Sequence, residues 1–190
     1  MTRSAVLISA AFLFTWHGSL LAQAPGSAAL SAKQVAMMQP LAWMDGRWRG
    51  EAVIQSPGGE IKLTQTERVG PMLGGAIRVI EGRGFDSQGK LAFNAAATMV
   101  YDPATEKYAM HAFSDGRVGV FKLDVQSNGY AWETPAGTAT IRYTAVFQDG
   151  VWTETGDFVL PGAPPRPFFV MKLRRIGSTK WPSAGGVARK

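Results

Sequence analysis

The chain has 190 residues, enough for about one domain, and 46% hydrophobic against 18% charged residues leave ample material for a core and no signature of disorder. The absence of cysteine excludes disulfides, thiolate nucleophiles, Cys-ligated metals and a lipid-modified N-terminal cysteine. The formal charge of +6 does not imply a nucleic-acid partner, because residues 25–176 carry 16 basic and 14 acidic residues, a net of +2, with no basic stripe interleaved with aromatics.

Residues 1–24 read as a signal peptide. Arg3 supplies a positive start and "AVLISAAFLF" is an apolar stretch of signal-peptide length, too short to span a bilayer core of about 30 Å. Ala22-Gln23-Ala24 is a small-x-small cleavage site. A cut after Ala22 is the alternative, because Pro25 would otherwise stand at the first mature position. The expectation is an exported, periplasmic or secreted protein with no stable membrane span once the signal is removed; a buried N-terminal helix is the competing reading. Residues 25–40 form an N-terminal segment, and "SAALSAKQVAMMQPLAWM" has a patchy apolar face interrupted by Pro40, predicting a short helix or turn.

From Arg47 the period changes to two. Strand candidates follow as "RWRGEAVIQ", "IKLTQTERV", "AIRVIEGRG", "LAFNAAATMVYD", "KYAMHAFS", "RVGVFKLDV", "YAWET", "TATIRYTAVF", "VWTETGDFVL" and "FFVMKLRRI". Turn chemistry separates them, including the hairpin pairs Asn128-Gly129 and Asp149-Gly150. The connections leave no room for crossover helices, so the sheet must be antiparallel, and closing it removes exposed edges. The prediction is all-β: a single antiparallel up-and-down barrel of about eight to ten strands over residues 41–176, followed by a disordered basic tail, 177–190. Alternation groups Trp48, Ala52 and Ile54 on one face, and Phe93, Ala95, Ala97, Met99 and Tyr101 on another. The last strand is apolar on both sides, which suggests an outer covering by the N-terminal segment.

In a closed barrel the first and last strands meet. An aromatic on the first strand can plug one mouth, and an arginine from the last can lie over it. Gly46-Arg47-Trp48 opens the first strand and Arg174-Arg175 end the last, so Trp48 with Arg174 or Arg175 is the expected plug. Gly-x-Trp at the start with Arg at the end is the lipocalin and wider calycin signature. "LAWMDGRWRGEA", "TQTERVGPMLGG", "YDPATEKY" and "FFVMKLRR" make residues 40 to 176 resemble a lipocalin-like domain of unknown function found in exported bacterial proteins. The resemblance implies a fold rather than an activity. It extends distantly to nitrobindins, ten-stranded barrels whose haem iron is held by a histidine near the domain's end. "PFFVMKLRRIGS" has no histidine there, and His17 lies in the signal, which leaves His111 on a middle strand; haem is not expected.

No nucleophile elbow, phosphate loop or metal-ligand spacing is present, so neither metal nor cofactor is expected. Glu67 shares a face with Leu63 and Val69, Arg78 with Ala76 and Ile80, and Glu154 with Trp152 and Phe158, whereas Arg142 is expected to point outward. Inward charges must be paired or hydrogen-bonded. Glu67, Arg78, Glu154 and Tyr101 are therefore either an internal structural network with wall packing, which Tyr108 and Tyr143 would join, or a polar patch orienting a ligand. The readings left open are a barrel binding a small, largely apolar molecule, an enzyme using an interior Glu as general base, and a scaffold or envelope protein with a filled barrel.

Overall fold

In the computed structural model, which describes residues 25–183, ten strands form a closed antiparallel barrel. They are β1 Gly46–Ser56, β2 Gly59–Met72, β3 Ile77–Phe85, β4 Leu91–Asp102, β5 Lys107–Ser114, β6 Arg117–Gln126, β7 Gly129–Ala136, β8 Ala139–Gln148, β9 Val151–Val159 and β10 Arg166–Gly177. Each strand pairs with its sequence neighbours, and β1 closes the ring on β10. The signal-peptide expectation and the last residues of the tail, 184–190, lie outside the described residues.

Two strands run through prolines that read as stops. β2 continues through Pro71, which pairs with Arg78, and β7 through Pro135, which pairs with Thr140. In both cases the strand on the other side has already stopped pairing: β1 ends against Val69, and β6 pairs with β7 only as far as Trp132. A missing N–H on an open side breaks no ladder bond.

The predicted short helix or turn is a helix of 13 residues, α1 Pro25–Met37, followed by a 3-10 segment, Gln39–Met44. Ala28, Ala29, Ala32 and Ala36 favour the helix, and Pro40 prevents its continuation. Three contacts hold α1 near the β4–β5 turn: Lys33 pairs with Glu106, the Gln34 amide donates to the Tyr101 carbonyl at 2.7 Å, and the Tyr108 hydroxyl donates to the Met37 carbonyl at 2.6 Å. The helix thus caps one end of the barrel and is not the expected outer cover of β10. The double-sided apolarity of β10 has another cause. The register shifts between Pro167 and Phe169, so Phe168 is an extra residue, and its ring packs at 4.5 Å on Phe158 and 6.1 Å from Tyr143, with Phe169 beside it.

The core is polarised along the barrel axis. At the capped end Met38, Leu41, Met44, Val69, Met99 and Leu173 are fully buried. Toward the other end, inward-facing Ile54, Phe93, Phe121, Trp132, Tyr143 and Phe169 are only half-buried. Beyond β10 the Arg68 guanidinium lies 4.4 Å from the centre of the Trp181 ring.

Candidate functional site

The capped end forms first from β1. Gly46 has φ +144°, and a Cβ there would lie 2.4 Å from an Arg175 guanidinium nitrogen, so only glycine lets the arginine in. Trp48, two residues on, is 1% exposed and donates its indole N–H to the Met44 carbonyl at 2.7 Å. Arg175 pairs with Trp48 in register and places its guanidinium carbon 4.5 Å from the ring. The same guanidinium donates to the Trp43 and Asp45 carbonyls. Arg174 pairs with Arg49 on the outer face and is exposed, so it is not part of the plug. Trp43, carried in by the 3-10 segment, stacks on Phe147 at 5.2 Å and meets Trp152 edge-on at 5.3 Å.

Arg78 and Tyr101 lie at this closed end. Arg78 is 2% exposed; its Nε lies 2.9 Å from Asp45 Oδ1, and its Nη1 donates to the Gly75 carbonyl at 3.0 Å. Burial pushes the Asp45 carboxyl up, against the pull of Arg78 and Arg175. Tyr101 meets Tyr108 edge-on at 4.9 Å beneath α1.

Glu67 and Glu154 lie where the fully buried core of the capped end gives way to the half-buried inward side chains of the rest of the barrel. Glu67 follows Gln65 on the inward face of β2, both are buried, and the Gln65 amide donates to Glu67 Oε1 at 2.7 Å. Opposite Glu67 stands Gly82, where a Cβ would lie 2.6 Å from Glu67 Oε1. The carboxyl therefore rests on bare backbone. On the other wall, Tyr130 of β7, Ala145 of β8 and Glu154 of β9 are cross-strand neighbours in one row. Because Ala145 is small, the Tyr130 hydroxyl reaches over it to donate to Glu154 Oε2 at 3.1 Å.

Burial pushes the Glu67 carboxyl up to about 8, helped by the Glu154 charge and opposed by the Gln65 hydrogen bond. Burial likewise raises Glu154 to about 7, against hydrogen bonds from Tyr130 and Trp132. Burial and then Glu154 hold the Tyr130 hydroxyl well above its ordinary value. Trp132 stacks on Tyr143 at 4.4 Å and leans on Phe121 at 4.9 Å, forming the wall above the carboxyls.

Glu67 and Glu154 were legible from alternation alone. Gln65 lies on the same face, two residues from Glu67, and that same alternation marks it. Asp45 precedes the strand and carries no such signal. The Tyr130–Glu154 bond depends on the size of Ala145, which no motif encodes. His111 is exposed on the outer face opposite Val120, and Arg142 is exposed and paired with Glu133. Among the described residues no group of three or more His, Cys, Asp or Glu gathers to hold a metal ion, and no helix is long and apolar enough to cross a membrane.

No family model matches the chain, and no curated protein matches it. Among solved structures it is similar to the crystal structure of Rv2717c from M. tuberculosis, with a TM-score of 0.55 and 13% identity over 73% of this chain and 96% of that one. At that identity the likeness is one of fold: the chain is a ten-stranded antiparallel barrel.

Proposed function

We propose that the protein is an exported, lipocalin-like binding barrel that takes a small, largely apolar molecule into the half-open part of its interior. The observation that carries this reading is the polarised core. Inward-facing Phe93, Phe121, Trp132, Tyr143 and Phe169 keep solvent-accessible surface, whereas the inward residues at the capped end keep almost none. Aromatic walls above a few convergent polar groups are the usual make-up of a small-molecule site. A way in is supported by the β6–β7 ladder, which pairs only Leu123–Gln126 with Gly129–Trp132. Beyond it the facing backbones of Arg117–Lys122 and Glu133–Ala136 are not joined, beside the rings of Phe121 and Trp132. Export rests on the apolar stretch after Arg3 and the small-x-small site before Pro25.

Native mass spectrometry of the purified protein, with titration of the uncharged fluorophore N-phenyl-1-naphthylamine, tests the reading. A copurifying mass or saturable fluorescence enhancement is expected, abolished by Ala97→Phe, which fills the interior from β4. A protein with no copurifying mass and no saturable enhancement has a filled barrel, and the binding reading fails.

A further inference from the structure

The outer wall of the barrel carries its charge unevenly. Arg49 of β1 stands directly opposite Arg174 of β10, and Arg47, two residues earlier on the same outer face, stands directly opposite Arg68 of β2. Facing side chains on neighbouring strands start about 5 Å apart and those two residues apart on one strand about 7 Å, inside the screening length of about 8 Å at physiological salt. Like charges so placed destabilise a sheet. Among the described residues, Arg47, Arg49 and Arg174 take part in no ion pair, and Arg68 shares Glu81 with Arg83. Arg47 lies across the seam between the first and last strands, because a Cβ on Gly177 would lie 2.7 Å from its Nη2.

With Lys62, Arg83 and Lys172, the outer faces of β10, β1, β2 and β3 hold seven basic side chains against three acidic ones, Glu51, Glu60 and Glu81. Residues 25–176 as a whole hold 16 and 14, so the remainder hold nine and 11 and are net negative. The near-neutral total conceals one basic wall.

A second observation lies at the edge of that wall. β1 begins its pairing at Gly46, opposite Val69, and the β2–β3 hairpin runs on beyond it to the turn at Leu73. Leu73 is 71% exposed and sits at φ +52°, a left-handed backbone that suits glycine rather than leucine. The chain thus accepts both backbone strain and an unburied leucine at one tip. Met72 beside it and Ile176, two residues after Arg174, are also exposed. Met72 lies about 13 Å along β2 from Arg68, so the tip and the arginines fall within one footprint.

A soluble anion gains little from a convex sheet face, where the arginines cannot surround it. A single-stranded nucleic acid would stack its bases on free aromatic faces, but the ring of Trp181 is taken up by Arg68. Any nucleic acid would leave Leu73, Met72 and Ile176 in water. An anionic bilayer satisfies both halves of the wall, with phosphates for the arginines and an acyl boundary for the apolar tip. We propose that this wall docks the protein peripherally on an anionic lipid surface, with Arg47, Arg49, Arg68 and Arg174 over the phosphates and Leu73 inserted between headgroups. The docking face lies outside the barrel and does not depend on the interior-binding reading.

The experiment is co-sedimentation of the mature protein with vesicles of phosphatidylcholine alone and of equal parts phosphatidylcholine and phosphatidylglycerol. Binding is expected to the anionic vesicles only, weakening as salt is raised. An arginine at an anionic surface contributes about fivefold, so Arg49→Gln with Arg174→Gln should weaken binding about 25-fold. Leu73→Asn, which places a residue that tolerates the left-handed backbone, should weaken it about tenfold. Arg117→Gln, an exposed arginine on β6 across the barrel, should bind as the parent does. The proposal is overturned if neutral and anionic vesicles pellet the protein equally, if neither does, or if the double arginine variant binds like the parent. It is overturned as well if oligothymidylate at the same salt binds as tightly as the anionic vesicles and loses affinity in the same double variant, since the wall is then a general polyanion site.

Discussion

Arg175 of the last strand lies 4.5 Å over the ring of Trp48 on the first, and this contact joins the two ends of the barrel chain. Trp48 also packs edge-on against Trp152 at 5.7 Å and Phe147 at 5.9 Å, so truncating it opens the aromatic cluster from its centre. Trp48→Ala should cost about 3–5 kcal/mol, as large-to-small changes in packed cores do. Arg175→Ala should cost about 1–2 kcal/mol, through the lost ring contact and the carbonyls of Trp43 and Asp45 left without their donor. Arg49→Ala and Arg174→Ala, an exposed pair on the outer face, should stay within about 0.5 kcal/mol of the parent. Urea melts of the four variants check the order. Equal loss in Arg174→Ala and Arg175→Ala would remove the plug assignment.

The Arg78–Asp45 pair predicts a different signature. Removing one partner of a buried pair leaves the other charge without compensation. Asp45 is partly exposed, with 29% of its side chain accessible, so Arg78→Met should cost about 2–3 kcal/mol, below the full buried-pair range. The double variant Arg78→Met, Asp45→Asn should recover part of that loss. A strictly additive double-mutant cycle by chemical denaturation would mean that the two side chains do not interact.

The interior carboxyls set a pH slope of definite sign. Glu67 is held up to about 8 in the folded chain and titrates near 4.3 when unfolded. Between those values the folded state keeps a proton that the unfolded state has lost, so stability falls as pH rises through this window. The contribution is fully present below about pH 4.3 and disappears by about pH 8, with a slope of at most about 1.4 kcal/mol per pH unit for each group. Glu154, raised to about 7, acts in the same sense over a narrower window. Glu81 and Asp102, held below their ordinary range, act in the opposite sense only at acid pH. Glu67→Gln should flatten the decline between about pH 5 and about pH 8 in thermal melts. An unchanged slope would show that Glu67 titrates normally.

The position of His111 gives a spectroscopic prediction. It is exposed on the outer face of β5, away from the barrel interior. Titration with haemin should give a spectrum that is the same in the parent and in His111→Ala. A Soret band lost specifically in the variant would overturn this.

The strands and their faces were written locally. Alternation from Arg47 onward, broken by Asn128-Gly129, Asp149-Gly150 and similar pairs, marks the strand candidates of a barrel of about eight to ten strands, and it puts Trp48, Glu67 and Glu154 on inward faces, because side-chain direction follows a period of two wherever the chain is extended. What alternation cannot determine is anything that depends on two distant segments meeting. Closure of β1 on β10 chose Arg175 over Arg174, since a shift of one residue sends a side chain to the opposite face. The extra residue at Phe168 turned an apparent two-faced strand into a bulge, and Pro71 became tolerable only because β1 had already ended beside it. The site itself is of this second kind. Glu67 rests on Gly82 because β3 supplies bare backbone at that register, and Tyr130 reaches Glu154 because Ala145 stands between them. Arg78, which alternation also placed inward, was drawn to Asp45 in the capping segment, a partner 33 residues away that only the folded chain brings within 2.9 Å.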